Sequence, residues 1–155
     1  MKRRDDWPER LAAFLESRGC YLGAQQKPFQ WGTNDCAMFT CDAVQEMTGV
    51  DLAAEFRGYM DKSGAAAALA GYVRRRGITS GCETLLEAVA VLVAAEHGLE
   101  EIEPGMAQRG DVVLLRDDAG QHVLGVMGFD GLLAVMLVAG AALVIAELAD
   151  RAWRV

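Results

Sequence analysis

The sequence is poor in the residues that most often carry catalytic or metal chemistry. Its 155 residues include only three prolines and two histidines, His97 and His122. The four cysteines form no CxxC pair, which argues against a zinc or iron–sulfur site of the usual spacing. We therefore expect reduced thiols, most of them packing residues, and no metal site of that spacing. These cysteines are Cys20, Cys36, Cys41 and Cys82.

Positive charge and long apolar runs are also scarce. The 15 lysines and arginines are outnumbered by 22 acidic residues, and the formal net charge of -7 opposes binding to nucleic-acid phosphates. The longest apolar run, Leu132 to Ala146, is interrupted by Gly140 and is shorter than the roughly 20 residues that span a bilayer. No apolar segment near the start suits a secretion signal. We expect no nucleic-acid partner, no membrane span and no secretion by that route.

The content of hydrophobic residues, 52%, is ample for the core of one domain, residues 1–155. In the first two thirds, apolar residues recur at helical spacing and are bounded by capping residues and glycines. We predict helices over Asp6 to Arg18, Asp35 to Met47, Gly64 to Arg76, and Gly81 to Glu96 or His97. The acidic block Leu99 to Pro104 is predicted to be a loop.

After Gly110 and Asp111 the pattern changes to short apolar runs separated by turn residues. Turns are predicted at Asp117 to Gly120 and at Phe129 to Gly131. The chain therefore has helices first and antiparallel strands second, which predicts an α+β domain with its helices packed on one sheet. The predicted strands are Val112 to Leu115, Val123 to Met127, Leu132 to Val138 and Leu143 to Leu148.

Cys36 lies at the predicted start of the second helix. The positive end of the helix dipole and the unpaired backbone amides there favour a thiolate, and the same amides can hold an oxyanion. His122 precedes a strand, at the edge of the sheet, where its side chain can face a helix N-terminus. A polar residue at a hairpin end remains an open alternative for His122. His97, near a helix end, is interpreted as a solvated imidazole or a partner of the helix dipole.

Three blocks of the sequence resemble the NlpC-type cell-wall peptidases, which have a papain-like fold. They are Phe29-x-Trp31-Gly32-x-x-Asp35-Cys36, Gly110-Asp111-Val112-Val113, and His122-Val123-x-Gly125-Val126. From Asp6 and Trp7 to its end the chain also resembles small phage and prophage tail proteins related to that family, which are encoded among the tail-tip genes of siphophages and gene transfer agents. Those proteins end in a pattern similar to Arg151-Ala152-Trp153-Arg154-Val155.

The resemblance implies a cysteine peptidase or amidase that cuts the peptidoglycan stem peptide, typically next to D-glutamate and diaminopimelate. Cys36 would be the nucleophile, His122 the general base and later the acid, and Asp35 would shape the helix start and support the oxyanion site. No metal or cofactor is implied. The expected partners are other tail-tip proteins and peptidoglycan, and the expected location is the virion tail, after synthesis in the bacterial cytoplasm.

The sequence departs from the family pattern at three places. Phe29 stands where the family has a tyrosine that donates to the oxyanion, Ala37 follows Cys36 where a serine is usual, and the strand Leu132 to Val138 lacks the polar residue that orients the histidine. A catalytically degenerate structural component of the tail tip or baseplate is therefore the alternative. A third interpretation, with cysteines as ligands of a metal or iron–sulfur centre, is disfavoured by the missing CxxC spacing.

Overall fold

The computed structural model describes residues 1–21, 25–77, 81–129, 131–145 and 149–155. Within these residues, four α-helices precede the main part of a six-stranded antiparallel sheet, so the predicted α+β class is confirmed. The helices are α1 (Trp7–Ser17), α2 (Cys36–Thr48), α3 (Lys62–Arg76) and α4 (Leu85–Glu96). The strands are β1 (Glu100–Ile102), β2 (Val112–Arg116), β3 (His122–Met127), β4 (Leu132–Leu137), β5 (Gly140–Ile145) and β6 (Ala149–Arg154), with a short 3₁₀ helix at Pro104–Met106.

The strand order across the sheet is β1-β6-β2-β3-β4-β5. The register pairs Leu114 with Leu124 and Arg116 with His122, so these side chains share one face of the sheet. That face packs against the helices: Leu114, Leu124 and the fully buried Phe39 of α2 belong to one core cluster. The helix α2 contacts β3 and β4 directly. His122, at the start of β3, therefore points toward the helical layer.

The opposite face of the sheet carries a second, smaller apolar cluster. Its buried members are Val113, Leu115, Val123, Met127, Leu133, Val135 and Ala152, and Cys36 packs against it. Because β2, β3 and β4 are buried on both faces, their sequences are almost continuously apolar rather than alternating. This explains the first part of the long apolar run, Leu132 to Leu137, which forms β4.

Several helix boundaries agree with the sequence pattern to within two residues, because the capping residues are where the pattern places them. The side chain of Asp35 caps α2, and Gly49 ends it with a left-handed φ of 85°. The start of α4 was predicted too early, since Thr84 caps that helix. The Asp117 to Gly120 turn is confirmed: the Asp117 amide donates to the Gln121 carbonyl across the hairpin.

The predicted loop at Leu99 to Pro104 is wrong, because Glu100–Ile102 forms the edge strand β1 against β6. Both strands are rich in charge, and Arg154 pairs with Glu100 across them at 3.2 Å, so neither has the apolar pattern of a core strand. The strand predicted at 143–148 begins earlier, at Gly140. Residues 146–148 of that prediction, and Asp130 of the predicted turn at 129–131, lie outside the described residues.

Asp111 of the Gly-Asp block has a structural role. Its carboxylate, 1% exposed, accepts from Arg3 Nη2 at 2.6 Å and from the Gln108 amide at 2.9 Å. The Val155 amide also donates to it, at 3.4 Å. One buried carboxylate thus joins the first residues, the turn before β2 and the last residue.

No described helix is both long and apolar enough to cross a membrane.

Candidate functional site

Cys36 is the first residue of α2, and the carboxylate of Asp35 fixes its backbone. One oxygen of Asp35 accepts from the Met38 amide at 3.0 Å, which caps the helix, and the other accepts from the Gly32 amide at 2.7 Å. Asp35 is 1% exposed. The backbone amides of Met38 and Gly32 therefore both have a hydrogen-bond acceptor inside the protein. Asp35 therefore holds the turn at Gly32 and the first turn of α2 in one arrangement around Cys36.

The thiol of Cys36 is held in its protonated form. Burial raises its pKa to about 11, and the Asp35 carboxylate adds to the rise, while a backbone hydrogen bond with Leu124 and the amides of Ala37 and Cys36 oppose it. The expectation that the helix start favours the thiolate is therefore wrong for this structure, because the loss of solvation outweighs the amides and the helix dipole. At neutral pH the thiol is almost entirely protonated.

Tyr59 is a residue of this region that the sequence motif does not indicate. It is buried, and burial raises the pKa of its hydroxyl, with the charge of Asp35 and a hydrogen bond to that side chain raising it further. A Cβ on Gly32 would lie 1.8 Å from the Tyr59 carbonyl oxygen, and Gly32 has a φ of 74°, so only glycine fits there. A tyrosine thus does lie near Asp35 and Cys36, although Phe29 occupies the position where the family has one.

His122 is buried, with 2% of its side chain exposed, and both of its ring nitrogens have partners. Nδ1 lies 2.7 Å from Thr84 Oγ1, and Nε2 lies 2.8 Å from Asp150 Oδ2. A carboxylate only accepts, so Nε2 carries a proton, and in the neutral imidazole Nδ1 accepts from the Thr84 hydroxyl. Thr84 Oγ1 in turn accepts from the Glu87 amide at 3.2 Å as the cap of α4.

Charged side chains of alternating sign surround the imidazole. Arg116 Nε lies 3.0 Å from Asp150 Oδ2, and Arg151 Nε lies 2.8 Å from Glu87 Oε1. The other Glu87 oxygen is 4.0 Å from His122 Nδ1. Burial penalises the charge of Glu87, but hydrogen bonds with the Glu83 amide and Arg151 prevail and lower its pKa. The histidine is therefore flanked by two carboxylates, each neutralised by an arginine.

Cys36, at the start of α2, lies against β3, the strand that begins with His122. The thiol interacts with the backbone of Leu124, and the Leu124 and His122 side chains share one face of β3, two residues apart. In the part of the chain that the structure describes, the His122 ring bonds to Thr84 and Asp150, and no hydrogen bond joins it to Cys36. The helix terminus that His122 faces is that of α4.

Sequence reasoning missed Thr84 and Asp150. The pattern predicts the residue that orients the imidazole on the strand after His122, whereas Asp150 comes from β6, where it is the extra residue of the bulge opposite Leu114 and Leu115. Its segment is charged and does not read as a strand. Thr84 had a usable signal, since Thr84-x-x-Glu87 is the pattern of a capping box at a helix start. Its contact with His122 depends on tertiary packing.

The remaining cysteines and histidine have no comparable surroundings. Cys20 and Cys41 are buried and belong to the main core cluster, and burial raises the pKa of both, for Cys20 to about 11. Cys82 is half-buried, and His97 ends α4 as its C-cap. The residues that the structure describes contain no group of three His, Cys, Asp or Glu side chains placed to hold a metal ion.

Comparison with known proteins gives one finding. Residues 2–155 match the family model DUF6950, which is described as a domain of unknown function. Neither a curated protein nor a solved structure matches the chain. The match covers almost the whole sequence, including both blocks around Cys36 and His122.

Proposed function

The chain belongs to the DUF6950 family, and we propose that it is a phage or prophage tail-tip protein of NlpC-like, papain-like fold. In this proposal Cys36 hydrolyses an amide bond in the stem peptide of peptidoglycan. The observation that carries it is the meeting of α2 and β3. Cys36 begins a helix packed on the strand that begins with His122, and the Asp150 carboxylate lies 2.8 Å from Nε2 of that histidine.

The chemistry would follow from these positions. His122 would take the thiol proton on Nδ1, and Asp150 would stabilise the resulting imidazolium through Nε2–H. The thiolate would attack the acyl carbon while the amides at the start of α2 hold the oxyanion. His122 would then protonate the leaving amine, and water, giving its proton to the same imidazole, would cleave the acyl–Cys36 thioester and restore the thiol. Because Nδ1 accepts from Thr84, this bond must open before the histidine can serve Cys36.

The proposed setting is the tail tip, with other tail proteins as neighbours and the cell wall as the target. No cofactor is needed for thiol hydrolysis of an amide. The net charge of -7 gives no attraction to an anionic cell wall, so the virion would have to bring the domain to its substrate. Co-purification with virions tests this location, and recovery only from the soluble lysate of infected cells would oppose it.

A second candidate is a structural component of the tail tip or baseplate that keeps the fold without the hydrolysis. Two observations favour it. Burial raises the pKa of Cys36 to about 11, and Nδ1 of His122 is already engaged by Thr84 at 2.7 Å. In the resting state of a cysteine hydrolase, the nucleophile is usually deprotonated or hydrogen-bonded to its base. The two candidates differ in one measurable respect, which is turnover.

The deciding experiment incubates purified peptidoglycan with wild type, Cys36→Ala and Cys82→Ala, and follows new amino groups and released fragments. The hydrolase proposal expects activity in wild type and Cys82→Ala, and its loss in Cys36→Ala. Cys82 is the matched control because it is a half-buried cysteine outside α2. Equal product from Cys36→Ala and wild type would contradict the role of Cys36, and no product from any of the three, all folded by circular dichroism, would leave the structural candidate.

A further inference from the structure

Thr84, His122 and Asp150 form a continuous chain of hydrogen bonds from a hydroxyl to an imidazole to a carboxylate. The distances are 2.7 Å for Thr84 Oγ1 to Nδ1 and 2.8 Å for Nε2 to Asp150 Oδ2. We propose that His122 activates the Thr84 hydroxyl as an acyl acceptor, which gives the protein an esterase activity toward carboxylic esters with a small acyl group. This activity uses Thr84, whereas the proposed peptidoglycan hydrolysis uses Cys36.

The geometry satisfies the requirements for an activated alcohol. The hydroxyl lies within hydrogen-bond reach of a base, and the base is oriented by a third group. The Thr84 proton already points to Nδ1, because Nε2 donates to Asp150 and Thr84 Oγ1 accepts from the Glu87 amide at 3.2 Å. Proton transfer therefore needs no prior rotation of the hydroxyl or the ring.

The position of Thr84 gives access and a place for the oxyanion. Thr84 is half-buried at the cap of the twelve-residue helix α4, and 40% of the Asp150 side chain is exposed. The first amides of a helix have no carbonyl partner within the helix. Because Thr84 uses the Glu87 amide, those of Leu85 and Leu86 face the same end of the helix as the hydroxyl. They are the donors that an oxyanion at Thr84 would meet.

The proposed reaction has two steps. Thr84 Oγ attacks the ester carbon as its proton passes to His122 Nδ1, and the C–O bond to the leaving alcohol breaks as Nδ1–H protonates that oxygen. Water, with His122 again accepting a proton, then attacks the acyl-Thr84 ester and releases the acid and the free hydroxyl. Apart from the ester and water, the reaction needs no oxidant, metal or further reactant.

The surroundings favour a small, uncharged acyl group. The imidazole is only 2% exposed, and Leu85 and Leu86 flank the hydroxyl along the chain, so a bulky or charged acyl group would lose solvation there. An ester is the more suitable substrate for this alcohol because its alkoxide leaves more easily than an amine. The γ-methyl of Thr84 also restricts the space beside the oxygen.

The test uses p-nitrophenyl acetate with the Cys36→Ala protein, so that the proposed nucleophile of the wall reaction cannot contribute. Intact mass and peptide mapping report the acetylated residue. We expect an acetyl group on Thr84, the same group in Thr84→Ser on the serine, and none at this position in Thr84→Asn. Asparagine keeps the helix cap but cannot be acylated as an alcohol, so the loss of labelling would report chemistry rather than unfolding.

Asp150→Asn provides the positioning control. We expect acylation of Thr84 to slow at least about tenfold and its dependence on pH to change, since the amide cannot stabilise an imidazolium. Absence of an acetyl group on Thr84 in folded Cys36→Ala protein would overturn the proposal, as would equal labelling of Thr84 in urea. Because the wall assay depends on Cys36 and this assay excludes it, each proposal can fail while the other stands.

Discussion

At the scale of single residues, burial determines how the two candidate groups behave. Cys36 has the backbone position of a nucleophile, but its surroundings are apolar: it packs against the far-side cluster of the sheet. Cys36 is half-buried, whereas His122 is buried, yet each ring nitrogen of His122 meets a polar partner. A buried group without compensation keeps its neutral form, whereas a compensated one can carry charge during a reaction. This contrast makes His122 the chemically equipped member of the pair.

The reactivity of Cys36 follows from its pKa. Burial raises this pKa from an ordinary 9.0 to about 11, so the folded protein holds about 100-fold less thiolate than the unfolded chain at pH 8. We expect iodoacetamide to label Cys36 at least about 100-fold more slowly in native protein than in urea, with a rate that rises about tenfold per pH unit. Mass mapping distinguishes the cysteines. A native rate independent of pH between 6 and 9 would instead indicate a thiolate paired with the histidine.

Two threonines of α2 give a matched test of hydrogen-bond satisfaction. Thr40 is 2% exposed, and its hydroxyl has no partner among the described residues, whereas Thr48 donates to the Val44 carbonyl at 2.8 Å and accepts from the Val50 amide. We expect Thr40→Val to raise the free energy of unfolding by about 1 kcal/mol and Thr48→Val to lower it by a similar amount. Urea unfolding measures both. A change of the same sign in the two variants would contradict the assignment.

At the scale of elements, the sequence is informative where local signals coincide. The helix α2 has its cap Asp35, its apolar face and its terminal Gly49 in the expected order, and the position of Cys36 follows from them. Strands β1 and β6 lack an apolar pattern because they are stabilised by pairing with each other and by charge. Thr84 and Asp150 are 66 residues apart in the sequence. Only the packing of α4 on the sheet and the pairing of β6 within it bring them to His122, so that part of the site could not be predicted.

The two hydrogen bonds of Asp35 predict that removal of this helix cap lowers the free energy of unfolding more than removal of an ordinary cap. Asp35 accepts from two buried backbone amides, of Met38 and Gly32, whereas the cap of α3, Asp61, makes one exposed bond to Gly64. We expect Asp35→Ala to lower the free energy of unfolding by about 2 kcal/mol or more, and Asp61→Ala by roughly 1 kcal/mol or less. Urea unfolding measures the difference. Equal losses would show that the bond to Gly32 adds nothing.

Asp35→Asn separates the charge of this cap from its hydrogen bonds. The amide keeps one acceptor oxygen for the Met38 amide but presents an NH₂ group to the other donor, so an intermediate loss of stability is expected. Removal of the carboxylate also lowers the pKa of Cys36, since the Asp35 charge contributes to its rise. The same iodoacetamide reaction would then be faster in Asp35→Asn than in wild type.

At the scale of the whole molecule, paired carboxylates hold distant parts of the chain together. Asp111 joins the first residues, the turn before β2 and the last residue, and Glu87 joins α4 to β6 through Arg151. The pKa of Glu87 is lowered by the Glu83 amide and Arg151 against the effect of burial. The pKa of Asp51 is lowered mainly by Arg57. The stability of the fold therefore depends on Glu87 and Asp51 remaining ionised.

The stability of the protein should accordingly fall in acid. A carboxyl group whose pKa is lower in the folded state than in the unfolded chain binds more protons when unfolded. Its contribution is present above the ordinary value, near 4.5 for Glu87, and is lost as the pH falls through the lower folded pKa. We expect the urea midpoint to be nearly constant between pH 6 and 7 and to decrease steadily below about pH 4.5.

In Glu87→Gln this decrease should be shallower and the stability at pH 7 lower, because Arg151 loses its charged partner near the His122 ring. The exposed Glu16→Gln makes the same change of charge on α1 and should follow wild type. Parallel acid profiles for Glu87→Gln and wild type would mean that the link between α4 and β6 does not contribute to the acid sensitivity.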